Sequence, residues 1–384
     1  MKFLCRALCV LFIATCAVRA QDESPLGDFA PLDDDLVLYI PKFAVKLGFR
    51  GISGVKTSFG GNGSLLSSSI LEGATGPANR LYHDGYVVAD SRTLINPSGN
   101  PDPITPDGRT NEWAFKNDSQ TIDAQGNPTG LVAMHTYAAL TNETTFAPKD
   151  PPSGFGVELS LDRDLGSVFG TRMKWGIVGG MSINQISTAS TGSLSAMVTT
   201  TTDLYSLGGQ AAPIAPFAGP SFAGSIDTTP LLGSDVLSRT VTTSLMTGAI
   251  GTSSKLRGAY MSFRLGASLF VPISARFSAM VSGGAVLVYA GTAYQVTQTF
   301  KPDTGDTIAE FISDTDSTIL AGYYADASLQ FAINDTAGLY LGAVYQSSGD
   351  FDQDAVSADG TSKYTTRIDL SSLQGIRAGV SFKF

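Results

Sequence analysis

Apolar and polar residues alternate one by one along much of this chain, and the alternation recurs in segments of similar length. In the closing segment Ile376, Ala378, Val380, Phe382 and Phe384 fall on one face of an extended strand, with Arg377, Gly379, Ser381 and Lys383 on the other. Met261, Phe263, Leu265, Ala267, Leu269 and Val271 alternate in the same way with Tyr260, Ser262, Arg264, Gly266 and Ser268. Ile319 to Phe331 repeats the pattern, as do Phe43 to Arg50 near the start and Phe155 to Asp162 in the middle. A side-chain period of two predicts half-buried strands. Strands are expected at roughly 40–51, 153–164, 172–187, 192–206, 236–248, 257–271, 275–298, 317–332, 336–347 and 373–384, which makes about ten.

The connections sort into two kinds. Turns at Asp164, Pro272 and Asn334 are short, whereas 301–315 and 347–370 are long, polar and acidic. Residues 52–152 carry little of the alternation and read as a long loop or surface insertion, with Tyr86-Val-Val and 131–137 as candidate further strands. Residues 208–236 hold Pro213, Pro216, Pro220 and Pro230, a density that forbids a central strand and reads as a loop or plug. If 237–246 is not a strand, or if 86 and 131 head two more, the count becomes eight or twelve.

Each apolar face has about the length that crosses a bilayer as a tilted strand. With its terminal Phe384 and the outward row Phe382, Val380, Ala378 and Ile376, the chain resembles bacterial outer-membrane β-barrel proteins of the small porin-like or OmpA-barrel-like kind. The resemblance implies an all-β, antiparallel transmembrane barrel of about 10 strands (8–12), with short periplasmic turns and long extracellular loops. It also implies that the last strand is an assembly signal for the barrel-assembly machinery, and that outer-membrane lipid and lipopolysaccharide surround the protein. Trimeric porins have about 16 to 18 strands, so a monomer is expected.

The amino terminus agrees. Lys2 and Arg6 precede an apolar run from Ala7 to Val18, and Val18-Arg19-Ala20 fits a signal-peptidase site, giving a signal peptide at 1–20 and a barrel at 21–384. Cys5, Cys9 and Cys16 all lie in that leader, so a processed chain has no cysteine for disulfides or metal. Three of the 25 basic residues also lie there, leaving 22 against 34 acidic ones. That balance argues against nucleic acid.

Function has to come from the inward faces. Alternation places Lys46, Arg50, Lys174, Arg264 and Arg377 inside with Glu158, Asp162 and Asp326, the candidate pore-lining set; Lys383, Phe270, Met280, Val286 and Val288 also point inward. Charges of both signs in a narrow barrel either pair into a plug or line a wet pore. The leading expectation is a narrow passive channel for small polar or anionic solutes. The alternatives are a non-conducting structural or surface-binding barrel acting through its outer loops, and a rim hydrolase or acyltransferase.

Catalytic signals are sparse, and no enzyme, cofactor or metal is expected. His83 and His135 both lie in the insertion and outside any G-x-S-x-G or H-E-x-x-H context. A rim enzyme requires that they converge with Asp or Ser at one end of the barrel. Asp350, Asp352 and Asp354 repeat every second residue, but Ala355 and Thr361 stand where an EF-hand loop needs Gly and Glu, so a solvated acidic loop is the default reading over a divalent-cation site.

Overall fold

The computed structural model describes residues 43–65, 76–89, 93–95, 101–103, 110–141, 147–149, 151, 154–169, 171–219 and 232–384. The expected leader at 1–20 lies outside them. Eight strands form a closed antiparallel ring: β1 (Phe43–Ser53), β2 (Gly154–Ser167), β3 (Lys174–Ser206), β4 (Ser238–Pro272), β5 (Phe277–Phe300), β6 (Ile308–Ala332), β7 (Ala337–Ser347) and β8 (Leu373–Lys383). Each pairs with its neighbour in chain order. The ring closes where β1 meets β8, from Ala44 opposite Lys383 to Ser53 opposite Gln374. Phe384 finishes the seam by exchanging backbone hydrogen bonds with Phe43. No edge is left at bilayer depth, as a chain in hydrocarbon requires.

The count is eight rather than ten because two expected turns do not exist. The chain runs straight through 187–192 as part of the 33-residue β3, and the segments expected at 236–248 and 257–271 are one 35-residue β4. Serine, threonine and glycine there suit a strand whose outer face meets water as well as they suit a turn. Likewise Asp164 to Gly166 is a bulge within β2, with the turn lying beyond Ser167. Most of 301–315 belongs to β6, which begins at Ile308.

An apolar belt marks the bilayer. Phe49, Phe155, Leu265, Ile319 and Ile376 point outward and are 64–79% exposed. On β4 the outward residues are Met261, Phe263, Leu265, Ala267 and Leu269, after which Lys255 and Arg257 take over toward the far end. On β3 Trp175 to Ile183 gives way to Gln185 and Ser187. That is about the nine to eleven residues that cross a membrane. Beyond the belt β3, β4, β5 and β6 continue as a tall four-stranded wall, while β1, β2, β7 and β8 stop.

Two four-stranded sheets pack at the far end, and Thr93–Ile95 with Pro101–Pro103 forms a separate two-stranded sheet. Ala147–Lys149, Lys56–Asn62, Lys363–Asp369 and Asp350–Val356 form one, in that order. It packs on the wall through Phe59, Tyr294, Val296, Ile312, Ala355, Tyr364 and Ile368, with Phe59 stacked on Tyr294 at 5.9 Å. The second comprises Arg80–Tyr82, Gly85–Ala89, Thr110–Phe115 and Phe217–Ala218. It rests on Leu131–Leu140, which extends the wall by pairing with the last ten residues of β3. The candidate strands near 86 and 131 therefore exist, but outside the ring. The described part of 208–236 packs Ala212, Ala215, Phe217, Leu232 and Val236 against Tyr82, Trp113 and Phe115, so it covers the far end rather than filling the lumen.

Placing a charge on the belt tests its position. Leu265→Arg should cost about 2–4 kcal/mol of folding stability in lipid vesicles, and Ser187→Arg close to nothing. Urea titration in phospholipid vesicles reads both; equal costs would move the bilayer up the wall.

Candidate functional site

The lumen is built from side chains that the ladder register brings to common levels. Glu158 comes from β2, Arg264 from β4, Asp326 from β6 and Arg377 from β8, so alternate strands contribute alternate charges. Arg264 reaches Glu158 at 3.1 Å and Asp326 at 3.5 Å. Arg377 reaches the same two carboxylates at 3.3 Å and 2.7 Å. The result is a closed four-membered ring of charge across the barrel, every member at most 5% exposed. Tyr340 donates a hydrogen bond to Glu158 at 2.9 Å, and its ring lies under the Arg377 guanidinium. Gly48 lies directly opposite Gly379 and leaves room for that tyrosine; a Cβ at Gly48 would collide with the Tyr340 hydroxyl and the Ala378 carbonyl.

The next level toward the far end comes mostly from odd strands. Arg50 of β1 donates to Ser182 of β3 at 2.5 Å and to Gln346 of β7 at 3.3 Å, and Gln346 passes a bond to Ser262 at 3.0 Å. Arg50 is fully buried and its hydrogen-bond acceptors are neutral. Toward the short turns Lys46 pairs with Asp162 at 2.5 Å. Lys174 stands at the short-turn mouth, partly exposed, and pairs with Asp164 at 2.9 Å. Together they border a cavity of about 370 Å³ that opens at that mouth and is also lined by Phe43, Phe270, Met280 and Lys383. Seven of the eight candidate pore-lining residues thus lie inside the barrel, and the eighth is at its mouth. Ser182, Ser262, Gln346 and Tyr340 share the lumen with them. The same alternation marks these four as inward, but they carry no formal charge to draw attention.

Far from the bilayer the two histidines converge. His135 Nδ1 lies 2.6 Å from Asp84 Oδ2, and the His135 backbone N–H donates to Asp84 Oδ1 at 2.8 Å. Thr304, on the tip joining β5 to β6, donates to Asp84 at 3.0 Å and lies 2.6 Å from the Tyr137 hydroxyl. His83 accepts the Tyr137 backbone N–H at its own Nδ1 at 3.0 Å. The geometric condition for a rim enzyme, two histidines with an aspartate, is met. Yet the completely buried Asp84 carboxylate is occupied by three donors from two segments, which makes it a clasp between the hairpin turn at 83–84, Leu131–Leu140 and the β5–β6 tip. Its hydroxyl neighbours Thr304 and Tyr137 are bonded within that clasp.

A second buried group lies nearby. Asp203 receives both Nε and Nη2 of Arg239 at 2.6 Å and the Tyr82 hydroxyl at 2.5 Å. The hydrogen bonds to Asp203 hold the Arg239 guanidinium above its usual range, while burial raises the Tyr82 phenol. Asp350, Asp352 and Asp354 lie on one face of a strand, not in a loop. Asp350 pairs with Arg367 at 2.5 Å and Asp354 with Lys363 at 2.8 Å, so cations already on the protein answer that acidic row. Among the described residues no group of three His, Cys, Asp or Glu is placed to hold a metal.

No family model matches the chain, and no curated protein matches its sequence. Among solved structures it is similar to the outer membrane protease OmpT of Escherichia coli, at 8% identity over 89% of this chain and 97% of that one, with a TM-score of 0.27. The outer membrane protein OprG of Pseudomonas aeruginosa matches at 11% identity over 89% and 95%, also at 0.27. Ail, the attachment invasion locus protein of Yersinia pestis, matches at 10% over 90% and 99%, at 0.20. Likeness at these scores assigns neither family nor activity.

Two outcomes follow from these clusters. Glu158→Gln leaves two buried guanidiniums short of one carboxylate and should cost about 3–5 kcal/mol in vesicle unfolding, whereas Lys174→Gln at the mouth should cost under about 1 kcal/mol. The His83 imidazole is held below its ordinary range by burial, with Lys116 adding to the effect and Asp84 opposing it. The unfolded chain therefore takes up this proton more readily. The stability His83 contributes is fully present above about pH 6.5 and is lost as the pH falls below that value. Trp113 is buried in this region, so the urea midpoint read from its fluorescence should drop between pH 7.5 and 5. His83→Gln should flatten that slope.

Proposed function

We propose that this protein is a non-conducting outer-membrane β-barrel that acts as a binding scaffold through its extracellular β-domain. The observation that carries the reading is the closed ring of Glu158, Arg264, Asp326 and Arg377, whose directly paired side chains from four alternate strands meet across the interior of an eight-stranded barrel. An interior of that size holds side chains and little else. Beyond it the axis runs into the apolar packing of Phe59, Tyr294, Ile312, Tyr364 and Ile368, a second obstruction to water.

Outer-membrane residence is supported by the edgeless ring and the apolar belt. The short turns then face the periplasm and the tall wall faces outward, as is usual for such barrels. More than half of β3 and β4 lies beyond the belt. The protein is read as non-enzymatic, because the polar atoms around His135 are engaged in holding segments together.

Planar-bilayer recording under a salt gradient separates this reading from a channel. Protein that inserts, as judged by heat-dependent gel mobility, should give no discrete conductance steps. Regular steps with an anion-selective reversal potential would overturn the proposal. They would instead favour a narrow channel, in which four inward cations outnumber three carboxylates.

A further inference from the structure

The upper part of β4, from Ser238 to Met246, pairs with β3 on one side, and a bulge at 247–249 separates it from the pairing that resumes at Ile250. Its pairing with β5 begins only at Ile250, so among the described residues its other side has no partner strand. Unpaired strand edges are templates for another chain, and proteins usually protect them with charge, proline or a covering segment. Between Thr240 and Thr247 the sequence is Thr-Val-Thr-Thr-Ser-Leu-Met-Thr, without charge or proline. The adjacent Arg239 is neutralised by Asp203. Val241 and Leu245 stand 60% and 68% exposed on one face of this edge. Leu245 continues a row with Met197 and Leu140, its exposed cross-strand neighbours.

We infer that this edge pairs with the same edge of a second copy carried on a facing membrane. The inference rests on the extracellular placement of the far end. The edge is self-complementary in one antiparallel register: with Thr243 opposite its counterpart, Val241 of each copy meets Leu245 of the other. The exposed row then runs unbroken from Leu140 through Met197 and Leu245 onto Val241 of the second copy. Directly opposed apolar pairs of this kind are what stabilise a ladder, and no like charges meet. Copies in one membrane would present their edges in parallel, because β4 rises from the bilayer in the same direction in each. An antiparallel pair related by a two-fold axis normal to the sheet turns one copy over, so the bilayers face each other. The strand from Thr243 to Tyr260, at the top of the belt, spans about 55 Å at about 3.3 Å per residue. Facing membranes would therefore lie on the order of 100 Å apart, somewhat less with strand tilt. One short edge is a weak contact, and many copies on each surface make it effective.

The test uses the full chain in phosphatidylcholine vesicles, with outward orientation scored by protease access and folding by heat-dependent gel mobility. Wild-type vesicles should cluster, as followed by light scattering. Thr243→Lys vesicles should cluster about tenfold more slowly, because two ammonium groups then face each other across the two-fold axis. Thr243→Glu vesicles should fail in the same way. Mixing the two variant populations should restore clustering, since Lys then faces Glu. Dispersed wild-type vesicles, wild-type clustering by Thr243→Lys alone, or no rescue in the mixture would each overturn the inference. Conductance recorded on the same preparations reports separately on the closed lumen, so failure of one reading is distinguishable from failure of the other.

Discussion

Four charges on four alternate strands govern this molecule. Taking two carboxylates and two guanidiniums out of water costs several kcal/mol per ion, and only close mutual pairing offsets it. Glu158, Arg264, Asp326 and Arg377 meet that demand only when β2, β4, β6 and β8 hold a particular register. A one-residue slip in any of them would turn its charge toward lipid. The ring therefore adds less to net stability than it does to specifying which pairing is native. The proposed closure of the lumen rests on the same pairing, since these four side chains meet one another across the interior.

The second constraint is strand length. In hydrocarbon a strand needs only about ten residues, and β1, β2, β7 and β8 stay near that size. The other four continue far past the belt, and once in water their inward faces still have to be covered. The sheet containing Lys56–Asn62 and the hairpin of Asp350–Val356 with Lys363–Asp369 supply that cover with Phe59, Tyr364 and Ile368. The smaller sheet does the same around Trp113, and the Asp84 clasp ties its turn to the β5–β6 tip. Among the described residues, the upper edge of β4 is left without a partner strand. Its exposure results from β5 ending at Phe300 while β4 runs on, so the same difference in strand length that raises the outer domain also opens its edge.

The sequence by itself determined the all-β class, the outward apolar face and which charges alternate with it. Each is a local property of a period-two pattern, legible wherever lipid or a packed interior lies on one side only. The strand carrying Val380 and Phe382 pairs with the one that begins at Phe43, because an open edge in lipid is too costly. Tertiary structure alone decided the rest. Residues 187–192 were read as a turn because serine, threonine and glycine tolerate both a turn and a water-facing strand; pairing with 252–257 settled the matter. The inward charges were identifiable one at a time, but not which would meet: Glu158 and Arg377 are separated by 219 positions. His83, Asp84, His135 and Thr304 likewise carry no shared local signal. Their meeting depends on a hairpin turn and a distant strand tip reaching the same place, and only the closed ring brings those two parts of the chain together.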